Sequence, residues 1–189
     1  MERDELLRCY AQGKRDFRGI DISELNLTGV ELTGINLSGA NLVLANLTRA
    51  NLSNSNLNGA NLIGVDLIGA NLTHASLTWV RAIGTNFAGA CLLGANSIEA
   101  VFTGATFDGA NLQKLCALGA DFVGASLLNT DLRQANLLGA NFAGADLSMA
   151  KLEDSNFYDS YWQSAKLTPQ AAMTLRKHDP HQSHATETA

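Results

Sequence analysis

Large apolar residues return at every fifth position of this sequence, without one insertion or deletion. This large column runs from Phe17 to Leu167 and has 31 members, of which nineteen are Leu and seven are Phe. Those seven are all the Phe residues of the chain. Only Ala82, Ser97 and Ala117 are small members. Such an interval indicates that the chain is built from one repeated unit of five residues.

The other four positions of the repeat also form columns. The small column lies two residues before the large column, and eighteen of its 31 members are Ala. The Asn column lies directly before the large column and holds mostly Asn or Asp. The outer column directly follows the large column. The corner column comes next and contains every Gly of the chain except Gly13. Apolar residues therefore concentrate at two of the five positions, and Gly at a third.

A period of five fits neither a regular helix nor a straight strand. Five residues of an α-helix rotate by about 500°, so the large column would drift around the helix. On a straight strand, an odd period would send successive large residues to opposite faces. The chain must instead turn within each repeat, and Gly permits the required backbone angles. This predicts a solenoid whose large and small columns point inward while the other three columns point outward.

The outer column indicates how many repeats complete one coil. A spacing of twenty residues aligns Val43, Ile63 and Ile83, whereas a spacing of fifteen leads from Val43 to Asn58 and Thr73. Like residues therefore stack when the coil has four sides. With four sides, Phe17 lies on the first face and the repeat of Ile22 on the second.

Repeats such as ANLSN, ANLIG and ANFAG resemble the pentapeptide-repeat family, and the resemblance covers residues 15–168. It implies an all-β fold, a right-handed quadrilateral parallel β-helix with twenty residues per coil. About eight coils would form a rod near 37 Å long at about 4.8 Å per coil. Short helices are expected at the two ends of this solenoid.

The sequence predicts four segments. Residues 1–14 form an N-terminal capping helix that covers the unpaired backbone of the first coil. Residues 15–168 form the β-helix. Residues 169–178 form a short C-terminal helix, for which Thr168 is the N-cap and Pro169 the first residue. The polar segment 179–189 is expected to be disordered.

No residue pattern predicts a catalytic centre, a cofactor or a metal. Cys9, Cys91 and Cys116 have unrelated spacings, which fit neither a disulfide framework nor a zinc site. The His residues near the C-terminus surround Pro180, which opposes a helix that would align them. Stacked Asn side chains are expected to bond along the rod or to the local backbone rather than to catalyse. We therefore expect a non-enzymatic protein without cofactors.

The composition restricts the partners. The net charge of −5 disfavours direct binding to nucleic acid phosphates. No apolar run approaches the roughly 20 residues that span a bilayer, and the N-terminus does not resemble a secretory signal. We expect a cytoplasmic protein, monomeric or weakly dimeric, that binds another protein of unknown identity.

Two outward apolar columns and one interruption of the repeat form the candidate partner surface. A contiguous apolar strip typically marks such a surface, although β-branched residues also simply favour strands. Likewise, the interruption from Trp79 to Ile83 fits either a specialised patch or drift with repacking. The candidate residues are Val43, Ile63, Ile83, Val101 and Val123 on the second face, Trp79 and Arg81 at its edge, and Ile98, Leu118, Leu138 and Tyr158 on the first face.

Two functions follow from the resemblance. The first is a protein-interaction scaffold or regulator, because family members are abundant in cyanobacteria and some control cell differentiation there. The second is an acidic mimic of DNA, as in relatives that bind a type II topoisomerase. A duplex of about 37 Å carries about 22 negative charges, whereas residues 17–168 have a net charge of −5. The comparison favours the scaffold.

Overall fold

The structure is a computed structural model that describes residues 1–178. It contains two helices, α1 (Arg3–Ala11) and α2 (Pro169–His178). Between them, parallel single-residue β-bridges join each Asn-column residue to the one twenty residues later, from Asp16–Asn36 to Asp146–Lys166. Four repeats therefore complete one coil, and the coils stack into a rod. The right hand of the coil stays a prediction.

The β structure is a ladder of bridges rather than a set of long strands. Every corner residue from Gly19 to Ser164 has a positive φ, between 53° and 68°. This left-handed conformation ends the extended segment after a few residues and turns the chain by one side of the coil. Gly was the expected corner residue, yet fourteen corner residues are not Gly. The rod thus maintains the turn even where the residue disfavours it.

Backbone hydrogen bonds join neighbouring coils along the whole rod. Leu62 N–H donates to Arg81 O at 2.7 Å, and Gly64 N–H donates to Ile83 O at 3.0 Å. Val65 N–H closes the turn on Leu62 O at 3.1 Å. The Asn-column N–H donates in the other direction, to the preceding coil. In a regular repeat, only the N–H of the outer column therefore lacks a backbone acceptor.

The Asn column supplies that missing acceptor. Ser38 N–H donates to Asn36 Oδ1 at 3.1 Å, and the same bond recurs along the rod. Short Asn and Asp side chains can reach the N–H two residues ahead, which Ser cannot do equally well. Where Ser76 occupies this column, Asn58 of the preceding coil instead accepts from Thr78 N–H at 3.0 Å. The Asn column is thus chiefly a set of local backbone caps.

The core consists of the large and small columns. Phe87 stacks on Phe107 with ring centroids 4.7 Å apart, and Phe122 stacks on Phe142 at 4.8 Å. The small members Ala82, Ser97 and Ala117 are fully buried in this Phe-rich part of the core, as is Leu115 in the small column. These departures from the repeat therefore lie in the buried core rather than on the surface.

The N-terminal helix α1 covers the first coil. Leu6 is fully buried against the core. The Met1 ammonium donates to Asp21 O at 3.0 Å, Arg3 Nε donates to Asn26 O at 3.0 Å, and Tyr10 Oη donates to Thr33 O at 2.7 Å. In the rest of the rod, carbonyl groups at these repeat positions accept N–H groups from the preceding coil. Donor groups from the side chains and the N-terminal segment of α1 therefore take the place of the N–H groups that a preceding coil would supply.

The C-terminal helix α2 packs on the last coil. Ala171 N–H donates to Thr168 Oγ1 at 3.2 Å, which makes Thr168 an N-cap residue. Ala171 and Leu175 are buried, whereas Met173 is exposed. The predicted disordered segment 179–189, with His181 and His184, lies outside the described residues.

Candidate functional site

The second face carries the apolar outer residues that the sequence singled out. Ile83 is 37% exposed. Its neighbours in the column, and Val101 beside it, are half-buried, because side chains one coil apart shield one another. The half-buried members are Val43, Ile63, Val101 and Val123. Together with Ile83 we call these five residues the second-face strip.

The first-face column is more exposed towards the C-terminal end of the rod. Ile98 and Leu118 are half-buried, whereas Leu138 and Tyr158 are exposed. A corner column separates this face from the second one. The two sets of candidate residues therefore lie on adjacent faces rather than on one continuous plane.

Trp79 lies on the corner between the first and second faces. Its φ is 57°, and its side chain is 62% exposed. The left-handed region costs a non-Gly residue roughly 1–2 kcal/mol, and burial of this ring does not offset that cost. Trp79 Nε1 donates to Glu99 Oε2 at 2.7 Å, which holds the indole along the rod. Thirteen other non-Gly corner residues share this backbone conformation, so the exposed aromatic ring rather than the φ distinguishes Trp79.

Arg81 occupies the Asn column of the second face, and its backbone bridges to Asn61 and Val101. Its side chain is exposed and forms no hydrogen bond or ion pair with residues 1–178. Because Arg has replaced the usual Asn, Ile83 N–H has no acceptor within the described residues. One coil later, Val101 also stands where Asn is usual, and Thr103 N–H likewise has no acceptor within the described residues.

Sequence reasoning did not find these two open N–H groups. Their signal was nevertheless present, because Arg81 and Val101 are successive members of the Asn column on one face. Elsewhere on this face, Ile63 N–H donates to Asn61 Oδ1 at 3.4 Å and Val123 N–H donates to Asp121 Oδ1 at 2.9 Å. The middle of the second-face strip therefore combines apolar side chains, one unpaired cation and two free donors.

The fourth face is polar and carries an open surface cleft of about 340 Å³ near the C-terminal end. Arg133 binds Asp131 through two of its nitrogen atoms, with Nη2 2.6 Å from Oδ2. The hydrogen bond from the Arg133 side chain lowers the pKa of Asp131 below its ordinary value. The cleft is lined by Gln113, Arg133, Gln134, Lys151, Glu153 and Asp154.

Other potential chemical groups are dispersed over the rod. The three cysteines are half-buried free thiols. Within residues 1–178, no three or more His, Cys, Asp or Glu side chains are grouped so that they could hold a metal ion. No helix in this part of the chain is long and apolar enough to cross a membrane.

Comparison with known proteins identifies one family. The family model described as pentapeptide repeats, in eight copies, matches residues 16–54, 45–81, 83–114 and 120–158. No curated protein matches the chain.

Several solved structures are similar to this chain over much of its length. A pentapeptide repeat protein from the thylakoid lumen of Arabidopsis thaliana is 30% identical, with 53% of this chain and 66% of that chain covered and a TM-score of 0.47. HetL, from the cyanobacterium Nostoc and involved in heterocyst differentiation regulation, is 28% identical, with 88% and 92% covered and a TM-score of 0.29. QnrB1, a plasmid-mediated fluoroquinolone resistance protein, is 21% identical, with 86% and 94% covered and a TM-score of 0.43.

Proposed function

This chain belongs to the pentapeptide-repeat family, and we propose that it is a non-enzymatic scaffold that binds a partner protein on the second-face strip. The observation that carries the proposal is the segment from Trp79 to Ile83. It places an exposed aromatic residue, an unpaired guanidinium and an exposed Ile on one part of the rod. Trp and Arg are the residue types that most often dominate binding energy at protein interfaces.

The shape of the second face supports docking. Beside Val43 its boundary with the third face has the exposed corner residue Leu44, and the following corners are Gly64, Gly84, Gly104, Gly124 and Gly144. Gly has no side chain, so a partner can approach the strip closely from that edge between Gly84 and Gly144, whereas the Leu44 side chain lies over Gly64. On the opposite edge, Trp79 and Glu99 project as a hydrogen-bonded pair. A partner would therefore meet a mainly apolar surface, with Thr103 between Ile83 and Val123 and with Trp79 and Glu99 raised along one side.

The ionisable groups support a role without catalysis. The carboxyl groups whose pKa departs from the ordinary value are all shifted downward, mainly by hydrogen bonds to neighbouring side chains and backbone. A general acid needs a carboxyl pKa raised towards neutrality. The shifted carboxyl groups in the described part of the chain suit surface caps and ion pairs instead.

The acidic DNA mimic has less support. Asp16 pairs with Arg18 at 2.8 Å and Asp131 with Arg133 at 2.6 Å. These ion pairs neutralise acids that a mimic would use to replace phosphates. If the mimic were correct, the chain would inhibit a type II topoisomerase and the inhibition would weaken steeply with salt. We expect no inhibition.

The proposal also covers the location of the protein, its oligomeric state and its class of partner. We propose that it acts in the cytoplasm as a monomer or weak dimer, with a protein partner of unknown identity and no nucleic acid or membrane. Analytical ultracentrifugation over a range of concentrations measures the oligomeric state directly.

Two matched double variants test the proposed surface. Trp79→Ala with Arg81→Ala changes a corner residue and an Asn-column residue at the second face. His74→Ala with Lys151→Ala changes the same two repeat positions at the fourth face. The partner is first isolated by affinity capture from the native host, and its affinity for both variants is then measured. Each second-face change is expected to cost more than about 1 kcal/mol in binding if the residue is an anchor.

Both double variants should melt close to the unchanged protein, since all four side chains point outward. If the fourth-face variant loses binding and the second-face variant keeps it, the apolar strip reflects only strand propensity and the surface is assigned to the wrong face.

A further inference from the structure

We propose that the second-face strip binds an amphipathic α-helix of the partner, laid along the rod, with one carboxylate of that helix held by the Arg81 guanidinium and Ile83 N–H. This inference rests on the proposed function and names the element and the chemical group that the partner presents. Three properties of the rod lead to it.

The first property is that the backbone on the sides of the rod is already paired between coils, apart from the outer-column N–H groups. Leu62 N–H, Gly64 N–H and Arg81 N–H all donate to carbonyl groups of adjacent coils. A partner strand therefore cannot extend a sheet along this face, because the rod offers it no continuous row of donors and acceptors. An extended segment pressed on the strip would leave its own backbone groups unpaired, at a cost. A helix satisfies its backbone internally and can present side chains alone.

The second property is the spacing of the apolar side chains. Successive coils lie about 4.8 Å apart, close to the 5.4 Å pitch of an α-helix. From Val43 to Val123 the strip spans four coil intervals, about 19 Å, or roughly three and a half helical turns. A helix with apolar residues at positions i, i+3 or i+4, and i+7 can therefore place about one side chain beside each coil.

The third property is the vacant acceptor position at Ile83. In a regular repeat, an Asn or Asp oxygen accepts from the outer-column N–H, as Asn61 Oδ1 does from Ile63. Arg81 removes that oxygen and adds a positive charge at the same place. A carboxylate contributed by the partner would fill the vacant position and pair with the guanidinium.

The rod already pairs one carboxylate with the same two kinds of donor, although there the Asp occupies the Asn column and the Arg occupies the outer column. Asp131 Oδ1 accepts from Arg133 N–H at 3.2 Å and from Arg133 Nε at 2.9 Å. The outer-column N–H and a guanidinium therefore can hold one carboxylate together. At Arg81 the two donors are present, and the carboxylate has to come from outside the chain.

The test uses two displayed peptide libraries as probes, both selected against the full chain. In the first, a helical scaffold of eighteen residues carries one apolar stripe, with the positions beside the stripe randomised. In the second, the same positions are randomised in linear peptides that contain Pro and cannot form a helix. We expect binders from the helical library, with Asp or Glu enriched at a single position beside the stripe.

Arg81→Asn is the decisive variant, because Asn restores the usual cap on Ile83 N–H and removes the charge. Selected helices should bind it at least about tenfold more weakly, as expected for a lost charge-assisted hydrogen bond. Replacing the enriched acid by its amide should cause a similar loss with the unchanged protein and little further loss with Arg81→Asn. Lys151→Asn, at the same repeat position on the fourth face, should bind the helices like the unchanged protein.

Three outcomes would overturn the inference: no helical binder at all, binders only among the linear peptides, or helical binders that are indifferent to Arg81→Asn. None of them would decide whether the native partner uses the second face, which the two double variants test separately. Conversely, if the native partner bound the fourth face, the proposed function would be wrong even if the libraries yielded acidic helices.

Discussion

At the scale of single residues, Leu67 and Ile68 are neighbours in the chain but occupy different environments. Leu67 belongs to the large column and is 0% exposed, whereas Ile68 belongs to the outer column and is 40% exposed. The difference follows from the geometry of the coil, in which adjacent residues of an extended segment point to opposite sides. Hydrophobicity alone does not distinguish them.

These two residues provide a test of the inward and outward columns. Leu67→Asp should destabilise the protein by more than about 4 kcal/mol, since it buries an unpaired charge in a packed core. Ile68→Asp should change stability by less than about 1 kcal/mol, because the new carboxylate stays in water. Urea unfolding followed by circular dichroism measures both. Equal losses would show that the assignment of inward and outward columns is wrong.

At the scale of the repeat, the Asn column connects side-chain chemistry to backbone satisfaction. Ala88 N–H donates to Asn86 Oδ1 at 3.0 Å, whereas Ile83 N–H has no acceptor in the described part of the chain. Both donors belong to the outer column, and the difference arises from the residue two positions earlier. A single substitution in the Asn column therefore adds or removes one hydrogen bond, unless the preceding coil supplies another acceptor, as Asn58 does for Thr78.

Restoring the consensus should stabilise the rod. We expect Arg81→Asn to increase the free energy of unfolding by about 0.5–1.5 kcal/mol, the usual net contribution of one hydrogen bond. Asn86→Ala should lower it by a similar amount, because it leaves Ala88 N–H uncapped. Thermal and urea unfolding of the two variants give the comparison. A destabilised Arg81→Asn protein would mean that Arg81 supports the fold rather than binding.

At the scale of the whole molecule, the two ends of the rod are chemically different. The N–H groups of the large column and of the corner column donate to carbonyl groups of the following coil. The first coil consequently presents these carbonyl groups together with the N–H groups of its own Asn column, and α1 covers several of the carbonyl groups with the Met1 ammonium, Arg3 and Tyr10. An uncovered end would offer these acceptors to other chains.

Removal of α1 should therefore cause association. A variant lacking residues 1–13 is expected to keep the folded rod, because the remaining coils still stack and bond to one another. Its first coil would expose carbonyl groups and the apolar surface under Leu6. Size-exclusion chromatography at several concentrations should show larger species than the full chain does. An unchanged monomer of equal thermal stability would remove the capping role assigned to α1.

The five-residue period by itself determined much of this fold, because each repeat has to satisfy the same constraints. Large and small residues at a fixed interval require inward-facing columns, as at Leu62 and Ala60, which are both fully buried. Gly at the corners requires a turn with positive φ, as at Gly84. Such local rules can be read from the sequence since they involve residues only a few positions apart.

The properties of the candidate site depended on the tertiary structure. Three of them involve residues twenty positions apart, which meet only after the chain has coiled. They are the bonding state of Ile83 N–H, the exposure of Trp79 and the row of Gly corners beside the second face. Trp79 bonds to Glu99 one coil later, and Asn58 replaces the cap missing at Ser76. Sequence reasoning could place these residues in columns. Only the stacked coils decide which neighbour fills a vacant position and which donor stays open, because that depends on contacts between coils rather than on the repeat itself.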